Sequence, residues 1–125
     1  MNMIVGVGTD IVSIKRIEKA ILMHKEFAKR ILTEKELLFF FEKKSSPSFL
    51  AGRFAAKEAM LKALGTGLSR GIKFKDIEIN YKNKIPTILL KGEALKQFNL
   101  LNGSKIFLSI SHEKEYAIAF VVIEK

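Results

Sequence analysis

The stretch that decides the fold is GRFAAKEAMLKALGTG, residues 52–67, which combines a helical pattern of apolar residues with a glycine-rich end. Placed on a helix at about 100° per residue, Leu50, Phe54 and Leu61 form one apolar ridge, which predicts a buried helix. Lys57 falls inside the same apolar arc, where an unpaired ammonium group would be costly. Its side chain therefore either extends along its methylene groups to solvent or borders a polar cleft or a subunit contact.

The charged residues and glycines of this stretch have two interpretations. Glu58 and Lys62 stand four residues apart, which suits an exposed ion pair worth about 0.2–0.5 kcal/mol. Gly65 suits the left-handed residue that ends many helices. Thr66 and Gly67, which follow it, add a backbone whose N–H groups can approach a phosphate closely. The stretch alone leaves open whether it is a surface pair with a helix cap or a phosphate site.

An aspartate in the N-terminal segment, Asp10, is the second feature of interest. Residues 4–12, IVGVGTDIV, alternate as a β-strand does. The faces of this strand are Val5, Val7 and Thr9 on one side, and Ile4, Gly6, Gly8 and Asp10 on the other. Because glycines precede Asp10 on its own face, we expect free space beside the carboxylate, which suits a hydrated divalent cation. The alternative is an aspartate that caps the helix after it.

Helix-start signals mark two further helices in the first half of the chain. Ser13 suits the N-cap of the first, whose apolar residues are Ile14, Ile17, Ile21 and Leu22. Thr33 and Glu36 have the spacing of a capping box, which opens a second helix that extends to about Phe41.

The second half of the chain changes from a helical period to a period of two. The pattern predicts strands at 76–81, 86–90, 105–112 and 116–123, with a helix at 92–100. The sequence thus predicts a single α+β domain over residues 1–125, in which an N-terminal strand and helices are followed by an antiparallel sheet.

The composition limits the kind of protein and its partners. The 125 residues include no cysteine, which excludes a disulfide scaffold, a thiolate nucleophile and a cysteine-bound metal. The longest apolar runs, 37–41 and 117–123, fall short of the ~20 residues that span a bilayer, so we expect a soluble cytoplasmic protein without a membrane partner. A net charge of +9 predicts attraction to polyanions such as nucleic acid, phosphorylated small molecules or an acidic protein.

The segment SISH, residues 109–112, brings two hydroxyl groups and an imidazole to the end of a predicted strand. Ser109 and Ser111 share one face of the strand, and His112 lies on the other. Nothing in this spacing brings an activated serine to the imidazole, so a Ser-His-acid triad is not supported. A structural or solvated histidine is the simpler interpretation.

Three segments taken together, GVGTDIVSIKRI (6–17), FLAGRFAAKEAMLKALGTG (49–67) and SISHEKEYAIA (109–119), resemble the signature blocks of a known family. In order and spacing they are similar to those of the holo-acyl-carrier-protein synthase branch of the 4′-phosphopantetheinyl transferases. The resemblance implies a phosphopantetheinyl transferase-like fold and a Mg²⁺-dependent reaction of fatty acid biosynthesis. In that reaction, the 4′-phosphopantetheine arm of coenzyme A passes to a serine of an acidic apo acyl carrier protein, and 3′,5′-ADP is released.

The resemblance also implies a role for each matching residue. Asp10 and Glu58 would be the metal carboxylates and, with Lys62, the catalytic residues. Either carboxylate is a candidate for the base that takes the serine proton, directly or through a metal-bound water, which is a hypothesis. The coenzyme A contacts would be Arg53, Lys62, Gly65, Thr66, Gly67, Ser109, Ser111 and His112.

The helix after Ser13 resembles the carrier-docking helix of the family. Its docking residues would be Arg16, Ala20 and Met23, although relatives often have more basic residues in these turns. Docking here would therefore depend on Arg16 and on apolar contact. The resemblance also implies a homotrimer, as for the small members of the family, with each active site between two subunits. A subunit contact of this kind would also account for Lys57.

Two other classes of protein compete with this interpretation. The net charge favours a small nucleic-acid-binding module, but the sequence contains no RNP-type aromatic pattern and no recognition helix, so we expect no nucleic-acid partner. A structural subunit without catalysis would have no need of Asp10, Glu58 and Lys62 together.

Overall fold

The computed structural model describes residues 2–125, which form helices packed on antiparallel strands. The strands are β1 (Ile4–Ser13), β2 (Ile77–Lys82), β3 (Ile85–Leu90), β4 (Lys105–His112) and β5 (Tyr116–Glu124). The α-helices are α1 (Ile14–Met23), α2 (Phe27–Ile31), α3 (Glu34–Glu42), α4 (Pro47–Leu64) and α5 (Gly92–Leu100). A 3₁₀ helix, Phe74–Asp76, precedes β2. The predicted α+β class is confirmed.

The main sheet has the strand order β1-β5-β4, with both pairings antiparallel, and β2 and β3 form a separate hairpin. Helix α4 packs on one face of the main sheet, which we call the inner face. Its buried alanines and leucines meet the inward residues of β5, which are Ala117, Ala119, Val121 and Ile123. The hydrophobic core therefore lies between α4 and the inner face.

The two glycines of β1 explain how α4 lies so close to the sheet. A Cβ atom at Gly8 would collide with the carbonyl oxygen of Ala59, and one at Gly6 with that of Ala63. The expectation that these glycines leave room for a cation beside Asp10 is therefore wrong. The space is filled by the backbone of α4, because only residues without a side chain allow this approach.

The local signals in the first half are largely confirmed. Ser13 accepts a hydrogen bond from the N–H of Arg16 at 3.3 Å and caps α1, and Thr33 and Glu36 form the expected capping box. Leu22 is an exception, since it is 82% exposed instead of packed with the other apolar residues of α1. Helix α2 was not predicted, because its five residues are too few to show a helical period.

Lys57 lies in the core and its partners all belong to its own chain. Its ammonium donates to Glu36 Oε1 at 2.6 Å, to the carbonyl oxygen of Ile31 at 2.6 Å and to that of Phe74 at 3.2 Å. Burial lowers the pKa of Lys57, and the nearby Glu36 carboxylate acts in the opposite direction. The expected subunit contact for Lys57 is therefore wrong, and its side chain does not extend to solvent.

The outer face of the main sheet, opposite α4, carries a band of exposed apolar side chains. These are Val7, Ile11, Phe107, Ile118 and Phe120. Each of these five side chains is at least 43% exposed, so the described residues 2–125 leave this band uncovered. Across the same described residues, none of the helices combines the length and apolar character needed to span a membrane.

Candidate active site

Asp10 and Lys62 form an ion pair where β1 passes α4. Lys62 Nζ donates to Asp10 Oδ1 at 3.1 Å and to the carbonyl oxygen of Thr9 at 3.0 Å. The Asp10 side chain is 16% exposed and that of Lys62 is 54% exposed, so the lysine end of the pair faces solvent. Because Ser13 caps α1, the alternative role for Asp10 as the helix cap is not observed.

Glu58 is the second carboxylate of this site and stands one helical turn before Lys62 on α4. Burial raises its pKa, the negative charge of Asp10 raises it further, and the positive charge of Lys62 acts in the opposite direction. Asp10 and Glu58 line the same cleft, so their negative charges repel each other. A cation between them would relieve this repulsion.

A cleft of about 410 Å³ contains both carboxylates and borders helix α1. Asp10 and Glu58 lie on its wall together with Arg16 and Ala20, two of the predicted docking residues. Met23, the third, is 64% exposed at the end of α1 and does not line the cleft. Helix α1 and the two carboxylates thus border the same cleft.

The donor set of the cleft fits a magnesium ion that is shared with a phosphorylated substrate. In the part of the chain that the structure describes, no group of three or more His, Asp or Glu side chains could hold a metal. Mg²⁺ is commonly bound by one or two carboxylates, with substrate phosphates and water as its other ligands. Asp10 and Glu58 supply these carboxylates.

The glycine-rich segment follows Lys62 at the same end of α4. Gly65 has a φ of 79° and caps the helix in the left-handed conformation, as predicted. Gly67 also has a positive φ, 57°, and Thr66 Oγ1 donates to its carbonyl oxygen at 3.0 Å. Both glycines are exposed and no atom would meet a Cβ at either, so the segment leaves room for a ligand to approach its backbone.

Arg53 lies on the opposite side of α4 from Lys62, since nine residues of helix rotate by about 180°. Its guanidinium stacks on Phe49 at 4.1 Å and on Tyr81 at 4.9 Å from the ring centroids. Burial lowers the pKa of Arg53, with Tyr81 and Glu36 acting in the opposite direction. Its Nε atom is buried and has no hydrogen-bond partner.

The cavity beside Arg53 has a volume of about 360 Å³ and a positively charged, aromatic wall. Its lining residues are Lys35, Phe39, Lys43, Phe49, Arg53, Ile79, Asn80 and Tyr81. No acidic side chain lines it, so the cavity favours an anion that carries a flat ring. The sequence indicated Arg53 as a coenzyme A contact but none of the other lining residues, most of which belong to α3 and β2 and are far from Arg53 along the chain.

The SISH segment lies at the other end of α4 from the glycine-rich segment. The ring of His112 packs on Gly52, and its Nε2 is 3.2 Å from the carbonyl oxygen of Ser48. Ser109 and Ser111 pair with Phe120 and Ile118 on the outer face, whereas Asp10 pairs with Ala119 on the inner face. The side chains of the two serines therefore point to one side of β4 and that of His112 points to the other, as predicted.

The predicted site residues consequently divide into two sets within one chain. The carboxylate set is Asp10, Glu58, Lys62, Gly65, Thr66 and Gly67. The arginine set is Arg53, Ser109, Ser111 and His112, which are grouped by their predicted role, since none of the other three lines the cavity beside Arg53. Gly52, which contacts His112, is about 20 Å along the helix from Gly65. The cleft that contains Asp10 and Glu58 and the cavity beside Arg53 have no lining residue in common.

The fold agrees with the comparisons to known proteins. A family model described as the 4′-phosphopantetheinyl transferase superfamily matches residues 6–121. The chain belongs to this superfamily.

Individual relatives are similar over nearly the whole chain. A holo-[acyl-carrier-protein] synthase of Vibrio cholerae is 49% identical over 125 residues, which cover 98% of this chain and 99% of the relative. The crystal structure of the synthase from Neisseria meningitidis is 44% identical, with a TM-score of 0.88 over 98% of this chain and 100% of that one. A Bacillus anthracis synthase in complex with CoA (3′,5′-ADP) is 40% identical, with a TM-score of 0.81 and 98% coverage of both chains.

Proposed function

We propose that this chain is a holo-[acyl-carrier-protein] synthase. It transfers the 4′-phosphopantetheine arm of coenzyme A to a serine of apo acyl carrier protein and releases 3′,5′-ADP, as a step of fatty acid biosynthesis. The observation that carries the proposal is the cleft in which Asp10 and Glu58 lie beside the α1 residues Arg16 and Ala20. The similar proteins of the same name support it over the full length of the chain.

The chemistry of the cleft follows from its charges. Bound Mg²⁺, held by Asp10 and Glu58, would neutralise part of the negative charge on the pyrophosphate. Lys62 is half exposed and can turn from Asp10 to a pyrophosphate oxygen, where it would stabilise the departing 3′,5′-ADP. One of the two carboxylates, Asp10 or Glu58, would take the proton of the serine hydroxyl.

Coenzyme A needs both sets of residues, and we assign them to two copies of the chain. The carboxylate set of one subunit would bind the pyrophosphate, with Gly65, Thr66 and Gly67 along it. Arg53, Ser109, Ser111 and His112 of a neighbour would contact the rest of the nucleotide. The apolar outer face supports this assembly, since large exposed apolar areas are typical of subunit contacts. A homotrimer is the proposed state, and the cytoplasmic location stays a prediction of the sequence.

The carrier protein would dock on α1. Arg16 suits an acidic side chain of the carrier, and Ala20 leaves room for an apolar one at the rim of the cleft. Met23 and its neighbour Leu22 are both exposed and extend the apolar surface away from the carboxylates. The net charge of +9 would also increase the rate of encounter with an acidic partner.

The proposal is tested by incubation of an apo acyl carrier protein with coenzyme A, Mg²⁺ and the enzyme, followed by intact-mass measurement of the carrier. We expect the carrier to gain the mass of one phosphopantetheine group, and to gain none when Mg²⁺ is removed with a chelator. The Glu58→Gln enzyme is the control for contaminating transferase. A folded enzyme that modifies no acidic apo carrier would contradict the proposal.

A further inference from the structure

The buried pair of Lys57 and Glu36 has no task in the proposed reaction. Lys57 is fully buried and Glu36 is 1% exposed. The three ammonium protons of Lys57 have three acceptors, which are Glu36 Oε1 and the carbonyl oxygens of Ile31 and Phe74. The other carboxylate oxygen, Oε2 of Glu36, accepts from the backbone N–H of Ile79 at 2.8 Å. The pair is therefore closed to solvent and fully hydrogen-bonded.

Stability alone does not explain why this position carries charges. Removing two charges from water is costly, and apolar residues of similar volume often serve a core equally well or better. Hydrogen bonds are directional, whereas apolar contacts are not. Each hydrogen bond from the pair to the backbone therefore fixes the position of one backbone group. The relevant question is which backbone groups Lys57 and Glu36 fix.

Two of these groups belong to segments beside the carboxylate cleft: α2 contributes Phe27 to its wall, and the 3₁₀ helix packs Phe74 on Phe54, which lines it. Ile31 ends α2, a helix of five residues whose N-terminus has no side-chain cap, and so short a helix is not stable by itself. Phe74 begins the 3₁₀ helix. The rings of Phe27, from α2, and Phe74 flank Phe54 at centroid distances of 6.2 and 5.6 Å. Phe27 and Phe54 line the cleft with Glu58.

Of the other two groups, the N–H of Thr33 belongs to the capping box of α3, and the N–H of Ile79 leads to the arginine set. The N–H of Ile79 lies in β2, two residues before Tyr81, whose ring stacks on Arg53. Glu36 thus determines where β2 lies relative to α4, and with it the spacing between Tyr81 and Arg53. The hydrogen bonds of this buried pair thus go to segments that lie beside both sets of predicted coenzyme A residues.

We infer that Lys57 and Glu36 are positioning residues for the reaction. Their hydrogen bonds hold α2 against the carboxylate cleft, the 3₁₀ helix against Phe54, and β2 against Arg53. This inference rests on the proposed function, because it takes the cleft and the Arg53 cavity as parts of the coenzyme A site. Neither side chain touches the substrate.

The test replaces the pair without leaving a buried charge. The first double variant, Lys57→Met with Glu36→Gln, keeps the side-chain volumes. The second, Lys57→Gln with Glu36→Gln, keeps amide donors and acceptors. The second variant supplies the same readouts if the first does not fold. The control is Lys29→Met with Glu26→Gln, which removes an exposed ion pair of 3.9 Å. The readouts are kcat and KM for each substrate, binding of 3′,5′-ADP, and backbone hydrogen exchange.

We expect the Met/Gln variant to fold and to lose about 10- to 100-fold in kcat/KM for coenzyme A, the size expected when reacting groups are slightly misplaced. Its 3′,5′-ADP binding should weaken, and amides of residues 27–31 and 74–82 should exchange faster while those of β4 and β5 do not change. The Gln/Gln variant should recover part of the loss, and the Glu26/Lys29 control should match the wild type.

A folded Met/Gln variant with wild-type kinetics, nucleotide binding and exchange would show that the pair only stabilises the core, and would overturn the inference. A wild-type enzyme that transfers nothing would overturn the proposed function instead. In that case nucleotide binding and hydrogen exchange still decide whether the pair positions the two sets.

Discussion

Helix α4 carries two lysines that each contact a carboxylate, and the two pairs lie in opposite surroundings. Lys62 and Asp10 are 3.1 Å apart, and the lysine is half exposed beside an open cleft. Lys57 and Glu36 are 2.6 Å apart, fully buried and bonded to backbone groups on every side. A lysine–carboxylate pair is thus accessible to a ligand at Lys62 and inaccessible to one at Lys57.

The comparison shows that solvent access decides what a lysine–carboxylate pair can do. An exposed pair contributes little to stability, so its partners can separate to bind a metal ion and a phosphate. A buried pair cannot give up a partner without leaving an uncompensated charge. We therefore expect substitutions of Lys62 and Asp10 to affect the reaction, and single substitutions of Lys57 and Glu36 to affect folding first.

The largest expected effect is on folding. Lys57→Ala leaves Glu36 buried without its partner and should lower the free energy of unfolding by about 3–5 kcal/mol. Lys62→Ala removes a partly exposed partner and should lower it by less than about 1 kcal/mol. Urea unfolding followed by circular dichroism measures both. Equal losses for the two lysines would remove the distinction between the pairs.

The next largest effect is the loss of catalysis when Asp10, from the exposed pair, or its neighbour Glu58 is replaced. Asp10→Asn and Glu58→Gln should each lower kcat/KM by at least about 100-fold, because a metal site at the phosphates is worth several kcal/mol. Neither variant should lower the thermal midpoint of unfolding appreciably. Transfer is measured by the mass gain of the carrier. Near-normal turnover in either variant would show that its carboxylate does not bind the metal.

A smaller effect is expected from the docking helix. Arg16→Ala should raise KM for the carrier by about two- to fivefold, the range for a charge at the rim of an interface, and should leave KM for coenzyme A unchanged. The matched control is Lys19→Ala, since Lys19 is exposed on α1 but does not line the cleft. Kinetics at low and high salt measure both variants. Equal changes in both KM values would argue against docking through Arg16.

The smallest expected effect concerns pH. The folded-state pKa of Glu58 is raised, so the unfolded chain releases this proton at a lower pH than the folded protein does. The wild type should therefore lose stability relative to Glu58→Gln as the pH rises from below the ordinary glutamate pKa through the folded one. Below that range the difference should vanish. Urea unfolding of both proteins from pH 4 to pH 8 tests this, and a constant difference would contradict the raised pKa.

Features set by neighbouring residues could be predicted from the sequence, and features set by distant residues could not. The capping box at Thr33, the left-handed Gly65 and the bounds of α5 and β4 follow from local patterns and are confirmed. The partner of Lys57 is Glu36, 21 residues away, and nothing local indicates that the capping glutamate also binds a lysine.

The candidate site follows the same rule. The pattern identified Asp10, Glu58 and Lys62, and the structure brings Lys62 to Asp10. The helical pattern places Arg53 on the other side of α4 from Lys62, but it did not indicate that Arg53 stacks on Tyr81, from a strand 28 residues later. The glycines of β1 were misread because their neighbour, α4, is more than 50 residues away along the chain.

The central claim is that the carboxylate set and the arginine set act together across two copies of the chain. The most direct measurement mixes two inactive variants, Glu58→Gln and Arg53→Ala, by co-expression or joint refolding, and compares transfer with that of each variant alone. If the sites lie between subunits, about a quarter of the sites in a randomly mixed ring combine two intact sets, and transfer returns. A mixture that forms mixed oligomers and stays as inactive as its components would contradict the account.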